Sequence, residues 1–307
     1  MRFLSETIQG RKQIGSAGPN LPQPRRATTT RLAEVLYRGL THPIRLLPDF
    51  LIIGAQRGGT TSLYNYLQAH PCFELPTTKE LHFFDRKFHR GLAWYRAHFP
   101  TYLEKCFAQR IQGRTFLTGE STPNYLFHPL VSRRVAEVLP RVKLIVLLRN
   151  PVDRAFSHYH HILDLGYEHL PFAETIQREE ERIGRERERI LTNEHYGSYV
   201  YEHFSYMSRG KYIEQLQTWM RLFSREQFLI LKSEDFYTNP PHVLQQILAF
   251  LDVPEAQWNL SLRDYVQYNR KTAFHMDAAQ REQLLEYYKP YNARLYDFLG
   301  IDFGWDT

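Results

Sequence analysis

Three short apolar runs occur along the chain, and each is followed by a turn and then by a segment with helical spacing. The runs are Phe50–Ile53, Val142–Leu148 and Phe228–Leu231. A strand that is apolar on nearly every position is typical of a parallel sheet covered on both faces. The pattern predicts an α/β fold with a central parallel sheet and helices on both faces. The helices are predicted at Thr60–Ala69, from Pro151 onward, and at Pro241–Leu251.

The first 47 residues differ in composition from the rest of the chain. Residues 1–30 are rich in Gly, Pro, Ser, Thr and Arg and show no period, which predicts a flexible basic tail. Residues 31–47 place leucines near helical spacing with arginines between them, which predicts a basic amphipathic helix or linker. Such a helix either packs on the body of the protein or makes weak contact with an anionic membrane surface. Residues 48–307 are predicted to form a single domain.

The formal net charge is +6. Residues 1–47 contain eight basic and two acidic residues, a difference that equals the whole net charge. The remaining chain is therefore neutral overall, and nucleic acid is not expected as a partner. Within it, Gln177–Arg189 is almost wholly Glu and Arg, which predicts a solvated helix without chemistry.

The cellular location is predicted from three further features. The cysteines are Cys72 and Cys106, too few for a disulfide framework. The start of the chain has no apolar segment of the kind found in secretory signals. No apolar run approaches the roughly 18 residues that a membrane span needs. Together these features predict a cytoplasmic protein.

The first turn of the predicted sheet has the composition of an anion site. It runs from Gly54 to Ser62 between an apolar strand and a helix, so its free backbone N–H groups and the helix dipole favour negative charge. The predicted anion-binding residues are Arg57, Gly58, Gly59, Thr60, Thr61 and Ser62.

A kinase or nucleotide triphosphatase would need other residues around this turn. It would carry lysine at position 60 and an acidic residue after the second strand to hold Mg²⁺. Here the second strand is followed by Arg149, which repels a metal and attracts another phosphate. The histidines at 158, 160 and 161 lack cysteine or carboxylate partners at ligand spacing. No metal is therefore expected.

Three blocks of sequence occur in a fixed order. They are IIGAQRGGTTSL (Ile52–Leu63), KELHFFD (Lys79–Asp85) followed by WYRAHFP, and LIVLLRNPVDRAFSHY (Leu144–Tyr159). Together they resemble the superfamily of sulfotransferases that use 3′-phosphoadenosine 5′-phosphosulfate (PAPS). The resemblance is to its heparan sulfate (carbohydrate) sulfotransferase-like branch, in the form of a soluble, bacterial-type member, and extends from about residue 49 to the end. It implies the fold of P-loop-containing nucleoside triphosphate hydrolases.

The donor explains why two of these blocks follow strands. PAPS carries a phosphosulfate at one end and a 3′-phosphate at the other, so it needs two anion sites, which parallel strands bring to one edge of a sheet. The resemblance implies that the first block binds the phosphosulfate, and that Arg149 and Ser157 bind the 3′-phosphate. Near the end of the chain, Arg270 and Lys271 are expected to close over the nucleotide.

The resemblance also implies catalytic roles. Glu80 is expected to be the general base, and its neighbours Phe83 and Phe84 are expected to desolvate it and raise its pKa. Arg57 is expected to neutralise charge on the leaving phosphate, and His82 to orient the base. The residues expected to contact the acceptor are Asp85, Arg86 and Tyr125.

Some positions depart from the family. A lysine found in animal relatives is replaced by Ser121, which leaves the heparan-type acceptor contact open. The acceptor is expected to be a sugar or another small molecule sulfated on a hydroxyl or amine, and the oligomeric state is not predicted. Two alternatives are a P-loop nucleotide or small-molecule kinase and a non-catalytic protein that binds PAPS or a polysaccharide.

Overall fold

The computed structural model of the protein describes residues 36–76, 78–258 and 275–306. The predicted tail at residues 1–30 lies outside these ranges, as do Arg270 and Lys271.

Four parallel strands form one sheet in the order β2-β1-β3-β4. The strands are β1 (Phe50–Gly54), β2 (Gly119–Ser121), β3 (Lys143–Leu148) and β4 (Phe228–Lys232). The predicted parallel sheet is confirmed, and its three apolar strands are found where the sequence indicated. Strand β2 was not predicted, because it has three residues and two of them are polar. A side chain at Gly119 would place its Cβ 2.5 Å from the ring of Phe50, so this pairing requires glycine.

Helices follow the strands as the pattern indicated, with additional short helices between them. The described helices are α1 (residues 36–40), α2 (Thr60–Ala69), α3 (Phe83–Arg86), α4 (Gly91–Arg96), α5 (Tyr102–Arg110), α6 (Val131–Val138), α7 (Pro151–Asp164), α8 (Phe172–Gln177), α9 (Glu179–Ile183), α10 (Glu186–Thr192), α11 (Tyr199–Phe204), α12 (Tyr212–Met220), α13 (Ser233–Thr238), α14 (Pro240–Phe250) and α15 (Ala278–Leu299). Short 3₁₀ helices are His42–Ile44, Phe88–Arg90, Ser208–Gly210, Arg225–Gln227 and Glu255–Gln257.

The core lies on both faces of the sheet. Successive strand residues point to opposite faces. Leu51 of β1 therefore packs in a cluster with residues of α6, α12 and α15. Its neighbour Ile52 packs in a second cluster with residues of α2 and α14. Helices thus cover both faces, as the uninterrupted apolar strands predict.

The charged segment at Gln177–Arg189 is mostly exposed, as its composition predicts, but it does not form a single helix. It is divided among α8, α9 and α10, and the carboxylates of Glu179 and Glu186 are buried. Glu179 accepts hydrogen bonds from the backbone N–H groups of Met207 and Ser208, at 2.5 and 2.7 Å. The prediction is wrong for these two carboxylates, because charge composition does not reveal which carboxylates find buried donors.

The described part of the predicted basic helix leaves two of its leucines in solvent, whereas Leu47 at its end packs against the core. Leu36 and Leu40 in α1 are 58% and 82% exposed. Arg45 instead holds the segment to the body, because its Nη1 donates to the carbonyl of Phe99 at 2.6 Å. Contact with a membrane surface stays a prediction. Among the described residues, no helix is long and apolar enough to cross a membrane.

Candidate active site

The loop between β1 and α2 depends on two adjacent glycines. A Cβ on Gly58 would lie 2.6 Å from the carbonyl oxygen of Leu147, on the neighbouring strand β3. Gly59 caps α2 with a φ of 95°, and a Cβ there would lie 2.9 Å from the hydroxyl of Tyr237. The loop therefore lies close against β3 and α13 with the N-terminus of α2 beside it. This is the arrangement expected of an anion-binding turn.

The two predicted anion sites are neighbours in the structure. Arg149 follows β3, and its Nη1 donates to the backbone carbonyl of Arg57 at 3.2 Å. The Nε of Arg57 donates to the hydroxyl of Ser157 at 3.1 Å, which joins the first loop to α7. Burial and the nearby charge of Arg149 lower the pKa of Arg57. Two guanidinium groups near enough for one charge to lower the pKa of the other favour a ligand with more than one negative charge.

Three of the predicted catalytic residues share an unusual backbone conformation. Among the described non-glycine residues, positive φ occurs at four positions, and three of them are Arg57 (69°), Glu80 (64°) and His82 (53°). This conformation costs energy for a residue with a side chain, and it clusters at functional sites. These residues lie in the two segments that the sequence indicated, the loop after β1 and the block KELHFFD.

Glu80, His82 and Asp85 form one connected group. His82 Nδ1 lies 2.8 Å from Asp85 Oδ2, and His82 Nε2 lies 3.5 Å from Glu80 Oε2. Lys79 Nζ contacts the other oxygen of Glu80 at 2.6 Å. The Glu80 side chain is 43% exposed, whereas that of Asp85 is fully buried. Glu80 is therefore the carboxylate of this group that solvent and a substrate reach.

The ionisation of this group corrects one expectation. Burial alone would raise the pKa of Glu80, but hydrogen bonds from His82 and Lys79 lower it to about 2. Burial likewise would lower the pKa of His82, but hydrogen bonds to Asp85 and Glu80 raise it to about 9. The expected raised pKa of Glu80 is thus wrong for the free enzyme, because the cationic partners outweigh desolvation. At neutral pH the group is an ion pair.

This ion pair makes folding stability depend on pH. A histidine whose pKa rises from 6.5 to about 9 on folding contributes stability that is complete below 6.5 and lost as pH rises through 9. We expect His82→Asn to lower the free energy of unfolding by roughly 2 kcal/mol at pH 6 and by much less at pH 9.5. Urea denaturation at both pH values measures this. His169→Asn, at an exposed histidine, is the control, and a pH-independent deficit in His82→Asn would contradict the expectation.

The three residues predicted to contact the acceptor occupy different positions. Asp85 lies behind His82, where its Oδ1 also accepts the backbone N–H of Arg86 at 2.9 Å. The Arg86 side chain is part-exposed and pairs with Glu202, with its Nε 2.9 Å from Glu202 Oε1. Tyr125 is wholly buried, and its hydroxyl accepts the backbone N–H of Phe83 at 2.9 Å. Tyr125 therefore supports the segment that carries Glu80, and its burial does not fit the predicted contact with an acceptor.

Sequence reasoning missed several polar residues around the site. Glu120 of β2 is buried and accepts hydrogen bonds from the hydroxyls of Tyr95 and Tyr125, at 2.8 and 3.0 Å. Burial raises its pKa to about 7. Asn124 donates to Asp85 Oδ2 at 2.8 Å. Both belong to the polar stretch GESTPNYLF, which begins with β2 and which no apolar strand marks in the sequence.

The comparison with protein families decides between the alternatives. Residues 47–283 match the sulfotransferase domain family. The chain belongs to the sulfotransferase family. The chain therefore catalyses sulfuryl transfer, and neither the kinase nor the non-catalytic alternative is favoured. The family match also confirms the resemblance that the three sequence blocks carried.

Individual sulfotransferases agree with this assignment. Heparan sulfate glucosamine 3-O-sulfotransferase 6 of Homo sapiens is 30% identical, over 85% of this chain and 74% of its own length. Membrane-associated sulfotransferase kil1 of Dictyostelium discoideum is 28% identical, over 85% of this chain and 67% of its own length. The crystal structure of a sulfotransferase from Alicyclobacillus acidocaldarius superimposes with a TM-score of 0.61 and 31% identity, over 85% of this chain and all of that one. The P-loop-like α/β fold is thereby confirmed.

The described part of this sulfotransferase contains no group of three or more His, Cys, Asp or Glu residues arranged to hold a metal ion. His158 is the buried one of the three histidines on α7, and it lies near positively charged side chains. Burial and the charges of Arg154 and Arg209 lower its pKa well below the ordinary value. It is therefore neutral at physiological pH.

Proposed function

We propose that this sulfotransferase takes its sulfuryl group from PAPS and transfers it to a hydroxyl or amine of a carbohydrate. The observation that carries the choice of donor is the contact between the two anion sites. Arg57 touches Ser157 through its side chain and Arg149 through its carbonyl. One ligand with a phosphosulfate and a 3′-phosphate fits two cationic loops held side by side.

The donor is proposed to bind along the carboxyl edge of β1 and β3. Residues 57–62 would receive the phosphosulfate on their hydroxyls and backbone N–H groups, except the N–H of Gly58, which donates to the carbonyl of Ala55 at 2.9 Å. Arg149 and Ser157 would receive the 3′-phosphate. The Tyr237 hydroxyl, close to Gly59, adds a donor that the sequence did not indicate. Arg270 and Lys271 are proposed to contribute from the segment outside the described residues.

The reaction is proposed to be an in-line displacement at sulfur. An acceptor oxygen or nitrogen forms a bond to sulfur while the bond between sulfur and the bridging phosphate oxygen breaks. The acceptor proton passes to Glu80, and the electron pair of the broken bond stays on 3′,5′-adenosine bisphosphate. Arg57 lies in the donor loop and would stabilise that developing negative charge.

The contacts of Glu80 explain how a carboxylate with a low pKa can act as a base. In the free enzyme Lys79 and His82 both contact it. An acceptor hydroxyl that takes the place of Lys79 removes one stabilising cation and so raises the basicity of the carboxylate. Cationic His82 would stay beside Glu80 Oε2 and so orient the carboxylate, while the acceptor hydroxyl contacts Oε1.

The proposed carbohydrate acceptor rests on relatives that are named for heparan sulfate. One position limits how closely the acceptor can be expected to resemble heparan sulfate. Ser121 lies at the end of β2, is fully buried, and brings no cation where the animal enzymes carry lysine. We therefore propose an acceptor with fewer anionic groups than heparan sulfate.

Incubation with sulfur-labelled PAPS tests the proposed function. The full chain is mixed with labelled PAPS and a panel of neutral and acidic oligosaccharides, with phenolic and steroid alcohols as the comparison group. Label is expected in neutral oligosaccharides. Transfer only to phenols or steroids would exclude the carbohydrate acceptor, and absence of donor binding would exclude PAPS.

A further inference from the structure

We propose that Asn124 and Arg209 are positioning residues that fix the tautomer and orientation of His82. The proposal rests on the proposed function, in which His82 orients the base Glu80. It adds two residues that lie outside the three recognised sequence blocks and act on His82 through Asp85.

A continuous line of hydrogen bonds connects the four residues. Arg209 Nη2 donates to Asn124 Oδ1 at 2.8 Å, and Asn124 Nδ2 donates to Asp85 Oδ2 at 2.8 Å. The same oxygen of Asp85 lies 2.8 Å from His82 Nδ1. Every distance is that of a well-formed hydrogen bond.

The chemistry of the two ends fixes the direction of this line. Arginine can only donate and an ionised carboxylate can only accept, so the amide of Asn124 has one allowed orientation between them. Asp85 must then accept a hydrogen bond from the Nδ1–H of His82. Nδ1 therefore keeps its proton in both charge states of the ring, and Nε2 is the atom that faces Glu80 at 3.5 Å.

Arg209 is held rigidly at the start of the line. It is 3% exposed, its guanidinium lies 4.5 Å over the ring of Phe127, and its Nη2 also donates to the carbonyl of Glu202 at 3.0 Å. The backbone N–H groups of Met207 and Ser208, the two residues before Arg209, donate to buried Glu179.

The energetics of Arg209 agree with a functional role. Its Nε and Nη1 are buried and make no hydrogen bond within the described part of the chain. Burying a guanidinium with unpaired nitrogens costs stability, so its placement is better explained by function than by folding alone.

Other ionisable groups also face Asp85. They are His82, Arg86, Glu120, His128 and Arg134. Burial lowers the pKa of His128 to about 4, so it is neutral above that pH. Glu120, with a pKa raised to about 7 by burial, is the group whose titration overlaps the physiological range. A test of this line of hydrogen bonds must therefore measure the titration of His82 itself and not only the pH dependence of activity.

Nuclear magnetic resonance of His82 provides that test. The ring carbons of His82 are assigned by their loss in His82→Asn and titrated in the wild-type chain and in Asn124→Leu, which keeps the side-chain size and removes both hydrogen bonds. We expect the wild type to show the Nδ1–H tautomer and a high midpoint. Asn124→Leu is expected to lower the midpoint by about one unit, because Asp85 is no longer held in place.

A matched variant controls for general effects of removing a buried amide. Asn292 is also buried and donates to an aspartate, Asp306 at 3.0 Å, but lies on α15. Asn292→Leu is expected to destabilise the fold and to leave the His82 titration unchanged. An unchanged titration in Asn124→Leu, or an equal shift in Asn292→Leu, would overturn the proposal.

Turnover measurements separate this proposal from the proposed function. Asn124→Leu is expected to lower kcat about tenfold with little change in donor affinity, and Arg209→Lys to retain more activity than Arg209→Met. Equal loss in both arginine variants would count against positioning by a donated hydrogen bond. If Glu80→Gln kept its turnover while Asn124→Leu shifted His82, the base assignment would fail and the positioning of His82 would stand.

Discussion

Replacing Glu80 by glutamine is expected to lower turnover by about 10² to 10⁴-fold, the usual effect of removing a general base. Glutamine keeps the shape of the side chain and most of its hydrogen bonds but cannot take a proton. The affinity for 3′,5′-adenosine bisphosphate should barely change, because the loop at Gly58–Ser62 and the pair Arg149 and Ser157 are proposed to hold the nucleotide. Steady-state kinetics with calorimetry of bisphosphate binding measures both quantities.

His82→Asn provides the comparison for this prediction. Replacing a residue that orients the base should lower turnover less than replacing the base itself. The loss in His82→Asn should therefore be smaller than in Glu80→Gln. Near-normal turnover in Glu80→Gln together with an inactive His82→Asn would make His82 the base. Full activity in both variants would refute the assignment of this whole group.

Replacing Arg149 by alanine is expected to abolish most of the thermal stabilisation that 3′,5′-adenosine bisphosphate gives to the wild type. A ligand present at 100 times its Kd stabilises the folded state by about 2.7 kcal/mol, so the wild-type shift should be several degrees. The guanidinium of Arg149 lies where the 3′-phosphate is proposed to bind, and its loss removes charge-assisted hydrogen bonds. Differential scanning fluorimetry measures the shift.

Arg141→Ala is the matched control for Arg149→Ala. Arg141 is exposed and precedes β3, whereas Arg149 follows it, so the two arginines lie at opposite ends of one strand. Arg141→Ala should respond to the bisphosphate like the wild type. ATP with Mg²⁺ should shift the wild type far less, and an equal or larger shift would contradict the proposed donor.

The sheet could be predicted because its strands carry their own signal. Strands β1, β3 and β4 are largely buried and consequently apolar except at the terminal residues Lys143 and Lys232. The turns after β1 and β3 also differ in sequence from those of nucleotide triphosphatases. The meeting of the two turns followed from parallel topology alone. Strand β2 gave no comparable signal, because Gly119 and Glu120 are selected by their contacts with Phe50 and Tyr95.

The ionisation of the site could not be predicted in the same way. The sequence places Glu80 beside two phenylalanines, which suggests desolvation. It does not show that Lys79 and His82 point at the carboxylate, and those contacts reverse the shift of its pKa. Likewise Asn124 and Arg209 lie 85 positions apart in the chain, and the fold alone brings them into contact.

The segment that carries Glu80 is attached directly to the sheet. The backbone N–H of Glu80 donates to the carbonyl of Ser121 at 3.1 Å, at the end of β2, and Thr122 donates to Ile52 of β1 at 3.1 Å. Strand β1 leads in turn into the donor loop. Backbone hydrogen bonds between β2 and β1 thus connect the proposed base to the proposed donor loop, so we expect strand pairing to set the spacing between the acceptor oxygen and sulfur. We therefore expect any movement that admits a large acceptor or releases the spent nucleotide to take place in segments outside this strand pair.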